Sequence, residues 1–307
     1  VERAPVSGEY RGMKIVSAAP PSSGGIALIQ MLNMLAGFDL DALEEPARVH
    51  LLAEVMRRAY RDRAEYLGDT DYVEVPVARL LSDEHAQALG ATISMDEATS
   101  SGQLKPVVVD NLKAADTTHL SVIDSDGNRV AATLSINYPF GSGFVAADTG
   151  VLLNDEMDDF SSKPGTPNVY GLVGAEANAI EPGKRMLSSM TPTFLETAER
   201  VAVVGTPGGS RIITMVLLAA LEFQRGGTAA DMVNLGRFHH QYLPDRISYE
   251  PDLFDEAMIT ALFELGHEAE MLDSSYGTMH AVVLDWKSKQ LDAASDQRGG
   301  GKAMVRD

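Results

Sequence analysis

Thr117-Thr118-His119-Leu120-Ser121-Val122-Ile123, Asp124-Ser125-Asp126-Gly127-Asn128 and Arg129-Val130-Ala131-Ala132-Thr133-Leu134-Ser135-Ile136 follow one another without a break. The outer runs are rich in β-branched and small residues, and the middle one holds a turn with Gly where a left-handed residue is needed. The pattern predicts a β-hairpin. In an antiparallel pairing centred on Asp126, Thr117 lies opposite Ser135, give or take the one-residue offset of a bulge at Gly127. Strand alternation puts Asn137 on the same face as Ser135. Two hydroxyls and an amide thus converge at the open end. Read alone, they are ordinary strand-edge residues, so their neighbours must decide what this end does.

Upstream, residues 94–116 lose periodicity and accumulate Ser, Gly, Pro, Lys and Asp, which predicts a flexible, exposed connection running into the hairpin. Over 40–66, Leu40, Leu43, Ala47, Leu51, Leu52, Val55, Met56 and Ala59 recur at three-to-four spacing, with Arg57, Arg58, Arg61 and Asp62 between them. That is the pattern of one long amphipathic helix or two joined ones. Pro20-Pro21-Ser22-Ser23-Gly24-Gly25 reads as a loop into a second helical stretch, 26–35. Downstream, a strand at 200–204 feeds Gly205-Thr206-Pro207-Gly208-Gly209-Ser210, which opens a helix over 211–225 closed by Gly226-Gly227. A late strand pair covers 280–286 and 290–294. With long helices in the first half and strands in the second, a layered α/β or α+β architecture is expected, divided at the 116/117 joint.

The 307 residues carry 25 Lys and Arg against 44 Asp and Glu, a net charge of −19. Such a surface repels polyphosphate and anionic headgroups, which disfavours nucleic-acid and membrane-surface binding and points to a small-molecule partner. The longest apolar candidate, 212–223, falls short of the ~20 residues that span a bilayer. There is no cysteine, so disulfides, thiolate zinc sites and a Cys nucleophile are excluded, and a nucleophile must be Ser, Thr or a carboxylate. His239-His240 diverge as neighbours and have no partner at ligand spacing, so no metal site is read there. The turn at Gly208-Gly209 could cradle a phosphate but lacks the Gly-x-x-x-x-Gly-Lys pattern.

Three further groups stand near the hairpin in chain order: the acidic run Asn154-Asp155-Glu156-Met157-Asp158-Asp159-Phe160, the hydroxyl-rich Ser188-Ser189-Met190-Thr191-Pro192-Thr193, and the Gly-rich turn. With segments 20–25, 116–122, 135–143, 152–161, 164–174, 184–193, 205–213 and 237–240, the chain resembles the γ-glutamyltranspeptidase family of N-terminal-nucleophile hydrolases. The matches are several, ordered and spread over nearly the whole length. The resemblance implies an α/β (α+β) four-layer αββα sandwich that needs no cofactor and no metal.

It further implies a precursor that cuts itself between Asp116 and Thr117. The products are residues 1–116, the helical C-terminal portion of a large subunit ending in a flexible linker, and 117–307, the small catalytic subunit, held as a heterodimer. Thr117 would then attack γ-glutamyl amides, with its freed α-amine, of pKa roughly 7.7 to 8.0, as general base. By the same resemblance Ser135 stands where the family has a Thr that hydrogen-bonds the nucleophile. Asn137, Glu156 and Asp159 would hold the substrate α-ammonium, Ser188 and Ser189 the α-carboxylate, and Gly208 and Gly209 the oxyanion. Tyr170, in the Pro- and Gly-rich stretch 164–171, would cover the site as a lid. Implied donors are glutathione and glutamine-like γ-glutamyl compounds, and acceptors are water, amino acids or peptides. The rival readings are a related glutaryl or cephalosporin acylase and an uncleaved, non-catalytic homologue. In the family an Arg from the N-terminal part of the large subunit pairs with the α-carboxylate, so that Arg is expected upstream of Val1 rather than at Arg185 or Arg211. A periplasmic or secreted location is expected from the resemblance alone.

Overall fold

The computed structural model describes residues 1–104, 117–161, 165–166, 168 and 172–306. The chain opens on a hairpin of β1 (Val6–Tyr10) and β2 (Met13–Ser17). Its two turn residues, Arg11 and Gly12, both sit at positive φ (49° and 78°), as a tight hairpin of right-handed twist requires. Then come α1 (Gly24–Leu35), α2 (Glu45–Tyr66), α3 (Val77–Leu80) and α4 (Asp83–Gly90). The central hairpin is β3 (Thr117–Ile123) and β4 (Arg129–Ser135). After it follow β5 (Thr193–Glu196), β6 (Arg200–Gly205), α5 (Ile212–Gln224), α6 (Ala229–Asn234), β7 (Phe238–His239), β8 (Ile247–Tyr249), α7 (Glu256–Glu264), β9 (Ala269–Met271), β10 (His280–Asp285) and β11 (Leu291–Ser295).

Six strands make one antiparallel sheet in the order β1-β2-β5-β6-β10-β11. The first-half hairpin and the late strands therefore share a sheet, and the division into a helical first half and a stranded second half does not hold. Helices α1, α5 and α6 cover one face, and the β3–β4 hairpin lies on the other, over β6 and β10. Burial on both faces explains why Val201, Ala202, Val203 and Val204 of β6 form a continuous apolar run rather than an alternating one. The hairpin itself alternates: His119 points in and is buried, while Leu120, Val122, Val130 and Leu134 point out and are exposed.

The hairpin approaches β6 most closely at Gly205, where a Cβ would lie 2.3–2.7 Å from the His119 ring. That ring is held by two hydroxyls, with Nδ1 2.8 Å from Thr133 Oγ1 and Nε2 3.0 Å from Ser121 Oγ. Ser121 Oγ donates onward to the His280 carbonyl, so it accepts from Nε2–H, and Nδ1 accepts from Thr133. Burial pushes the His119 pKa down to about 4, which keeps the ring neutral. Gly205→Ala would force ring and strand apart. A loss of about 1–3 kcal/mol in denaturant unfolding is expected, and an unchanged midpoint would refute this account of the contact.

Helix α2 differs from the sequence expectation in two ways. It begins at Glu45, with Pro46 in its first turn, so Leu40 and Leu43 precede it. Nor is its polar face solvated: Glu54, Arg57, Arg58 and Asp62 are all buried, as is Arg63 on the apolar stripe. Glu54 pairs with Arg57 (3.1 Å) and Arg58 (2.5 Å) and accepts from the Thr99 hydroxyl and amide, and Arg57 reaches Asp245 and Ser101. These bonds pin residues 99–101, so the first part of the connection expected to be flexible is anchored to the core. Residues 105–116 lie outside the described residues.

Candidate active site

The hairpin pairs Thr117 with Ser135 without offset. Thr117 Oγ1 stands 3.1 Å from Ser135 Oγ, which also accepts the Asn137 amide at 2.9 Å. Either hydroxyl can be the donor between Thr117 and Ser135, and Glu156 lines the same cleft beside them. Asn137 reaches the cleft for a different reason than strand alternation. It lies beyond the end of β4 with φ 70°, a conformation Asn tolerates better than most residues, and its side chain donates to the Asp155 carbonyl at 3.3 Å.

Glu156 and Asp159 occupy the two ends of a single 3₁₀ turn, Glu156–Asp159, and both line the same cleft as Thr117. The turn is held by the Tyr138 amide on the Asp155 carboxylate (3.1 Å) and by the Asn178 side chain on the Asp159 carbonyl (2.8 Å). Burial, and then the neighbouring Glu156 carboxylate, push the Asp159 pKa up to about 7, against the pull of Arg63. Burial likewise raises Glu156 above the ordinary carboxylate range. Two crowded carboxyls that resist ionisation together make an environment that favours positive charge beside them.

Ser188 and Ser189 line the same cleft. The loop before α1 clamps them: Ser23 N–H donates to the Ser188 carbonyl (2.8 Å), Ser188 N–H to the Pro21 carbonyl (2.8 Å), and Ser22 Oγ to the Met190 carbonyl (2.6 Å). A Cβ on Gly24 would meet Thr191 Oγ1 at 2.1 Å, so the close approach requires glycine there. Gly209 lines the cleft, and Gly208 adjoins it. Gly208 at φ 144° and Gly209 at φ 57° turn the backbone sharply into the first turn before α5, and a helix N-terminus favours negative charge.

Of the other sequence candidates, Asp116 and Tyr170 fall outside the described residues. Arg185 is engaged with Asp69 and Asp71, and Arg211 stacks on Tyr276 at 4.6 Å. His239 bonds Thr214 and Gln241, and His240 faces Asp245. The sequence reading missed Arg63, whose Nη2 donates to Ser189 Oγ at 3.1 Å. A signal was available: Arg63 lies seven residues after Met56 and four after Ala59, on the apolar stripe of α2 rather than its polar arc.

A helix layer, a six-stranded antiparallel sheet and a facing hairpin whose first residue carries the cleft hydroxyl define the α+β sandwich of the N-terminal-nucleophile hydrolases. A family model described as gamma-glutamyltranspeptidase matches residues 1–306, and the chain belongs to that family. Among its relatives is the glutathione hydrolase proenzyme of Escherichia coli (strain K12), 42% identical over 302 residues, covering 97% of this chain and 52% of the relative. The chain spans about half the length of the curated relatives it matches. Among solved structures, a gamma-glutamyltranspeptidase from Pseudomonas nitroreducens complexed with L-DON is 44% identical, with a TM-score of 0.57 over 62% of this chain and 100% of that one. A cephalosporin acylase from Bacillus halodurans, 22% identical, shares the fold over 99% of this chain and 53% of its own, with a TM-score of 0.79.

Proposed function

We propose that this cleft cleaves γ-glutamyl amides, glutathione among them, through an ester on Thr117, and passes the γ-glutamyl group to water, an amino acid or a peptide. The observation that carries the reading is the polarity of the cleft. Glu156, Asp159 and Asn137, two serines and the Thr117 hydroxyl all line one small cleft. That is the complement of an α-amino acid head whose side-chain carbonyl reaches the nucleophile.

Thr117 acts only once the 116/117 bond is cut, which frees its α-amine as base. Attack then forms the Thr117 ester as the C–N bond breaks and the departing amine takes the proton, and an acceptor O–H or N–H reverses the sequence. Gly208 and Gly209 would supply backbone N–H groups to the tetrahedral oxyanion. Residues 1–116 and 117–307 would stay together after the cut, because β2 of the first pairs with β5 of the second inside one sheet. A periplasmic or secreted place of action belongs to the same proposal and rests on the family; fractionation of the native host tests it.

A pair of anilides separates this reading from a glutaryl acylase. Glutaryl anilide lacks the α-amino group, so Glu156 and Asp159 would close on nothing. The γ-glutamyl anilide is expected to win by about 10²-fold or more in kcat/KM, the worth of one or two charge-assisted hydrogen bonds. Equal or better turnover of the glutaryl compound would overturn the reading.

A further inference from the structure

Arg63, in the last turn of α2, is 5% exposed and faces the serine end of the cleft. Its Nε donates to Ser23 Oγ at 2.9 Å and its Nη2 to Ser189 Oγ at 3.1 Å. No carboxylate of the described residues lies within 4.0 Å of it, in contrast to Arg57, Arg58 and Arg237, which are equally buried and ion-paired. A guanidinium stays protonated in a protein, so this is a buried positive charge whose carboxylate counter-charge among the described residues, Asp159, acts at longer range.

The hydroxyl protons follow from these bonds. Ser23 Oγ donates to the Ser188 carbonyl at 2.7 Å, so it can only accept from Arg63. Ser189 Oγ also accepts from Arg63, and its own proton meets no acceptor among the described residues while its side chain lines the cleft. Ser188 Oγ accepts from the Met190 amide at 3.0 Å, which leaves its proton similarly placed. The serine end thus presents two O–H donors backed by a cation.

We propose that Arg63 is a positioning residue that makes the serine end of the cleft an anion receptor: by occupying the acceptor side of Ser189 and locking Ser23 onto Ser188, it selects a substrate carboxylate over a neutral group of the same shape. The selection acts through Ser189 and through the buried charge, without contact between Arg63 and substrate. It rests on the γ-glutamyl reading above and adds a residue to it.

The test compares binding of L-glutamate with that of its α-carboxamide, by calorimetry, to the purified protein and to Arg63→Met and Arg63→Lys. The parent is expected to prefer the carboxylate by about 10²-fold, Arg63→Met to bring the two within about fivefold by weakening only the carboxylate ligand, and Arg63→Lys to restore part of the preference. Arg63→Met weakening both ligands equally, or keeping the full preference, overturns the proposal. Should Arg63→Met fail to fold, Ser189→Ala removes only the hydroxyl that Arg63 holds, and a preference undiminished there overturns it as well. Turnover of the corresponding γ-anilides is the second arm. A parent that binds glutamate with the expected preference but hydrolyses neither anilide refutes the catalytic reading and leaves the Arg63 proposal standing.

Discussion

Thr117→Ala is expected to leave the 116/117 bond intact and to lower turnover of a γ-glutamyl amide by about 10³-fold or more, the scale on which removal of a covalent nucleophile acts. The structure offers no substitute. Ser135, whose hydroxyl lies 3.1 Å from Thr117 Oγ1 and accepts the Asn137 amide, sits inside the chain and has no α-amine of its own to act as base. The chain has no cysteine. Folding should barely notice the change, because the lost Oγ1 makes one partly buried hydrogen bond to Ser135, worth about 1 kcal/mol. Thr117→Ser, which keeps the hydroxyl, should retain both cleavage and turnover. Denaturing electrophoresis decides the first half of the prediction: two fragments from Thr117→Ala would eliminate self-processing by this hydroxyl.

Asp159→Asn is expected to cost about 10²-fold in affinity for an α-amino donor and, with opposite sign, to stabilise the unliganded protein above pH 7. Burial and Glu156 raise the Asp159 pKa to about 7, so the folded chain keeps a proton that the unfolded chain releases near pH 4. The folded state binds more protons across that window. Its stability contribution from Asp159 is therefore largest at low pH and falls as pH rises from about 4 to about 7, by up to about 4 kcal/mol for three pKa units. Buried histidines act the other way over the same range. His119 and His240, with pKa values lowered by burial to about 4, resist the charging that the unfolded chain undergoes below pH 6.5, and stability is lost as pH falls through the window. The difference between parent and Asp159→Asn isolates the carboxyl: Tm curves should converge near pH 4 and separate above pH 7, with the variant higher. Parallel curves would show that Asp159 titrates normally and that the cleft does not store this cost. The same cost is what a bound ammonium would relieve, which would couple stability to selectivity in this cleft.

Legibility varied with the range of the interactions concerned. The β3–β4 register needed only the turn and the two-residue period, both local, and it placed Ser135 opposite Thr117 correctly. Asn137 was placed at the right site for the wrong reason, since its left-handed backbone beyond β4 is not a strand feature. The β1–β2 hairpin was overlooked because five-residue strands bear little periodic signal, and what makes them a sheet is β5, more than 170 residues along the chain. The charges on α2 gave only an amphipathic pattern, because periodicity reports which side of a helix is apolar and cannot tell that residues 99–101 and Asp245 close over the other side.

The sequence by itself determined the hairpin that sets Ser135 opposite Thr117, the glycine turn and the order of the polar segments, because each depends on bonds between near neighbours. Tertiary structure alone decided that Asp159 is a reluctant anion and that Arg63 stands behind Ser189. Burial and electric field at a site are sums over elements far apart in the chain, here α2, the loop before α1 and the turn after β4, and they acquire values only when those elements pack around one cleft.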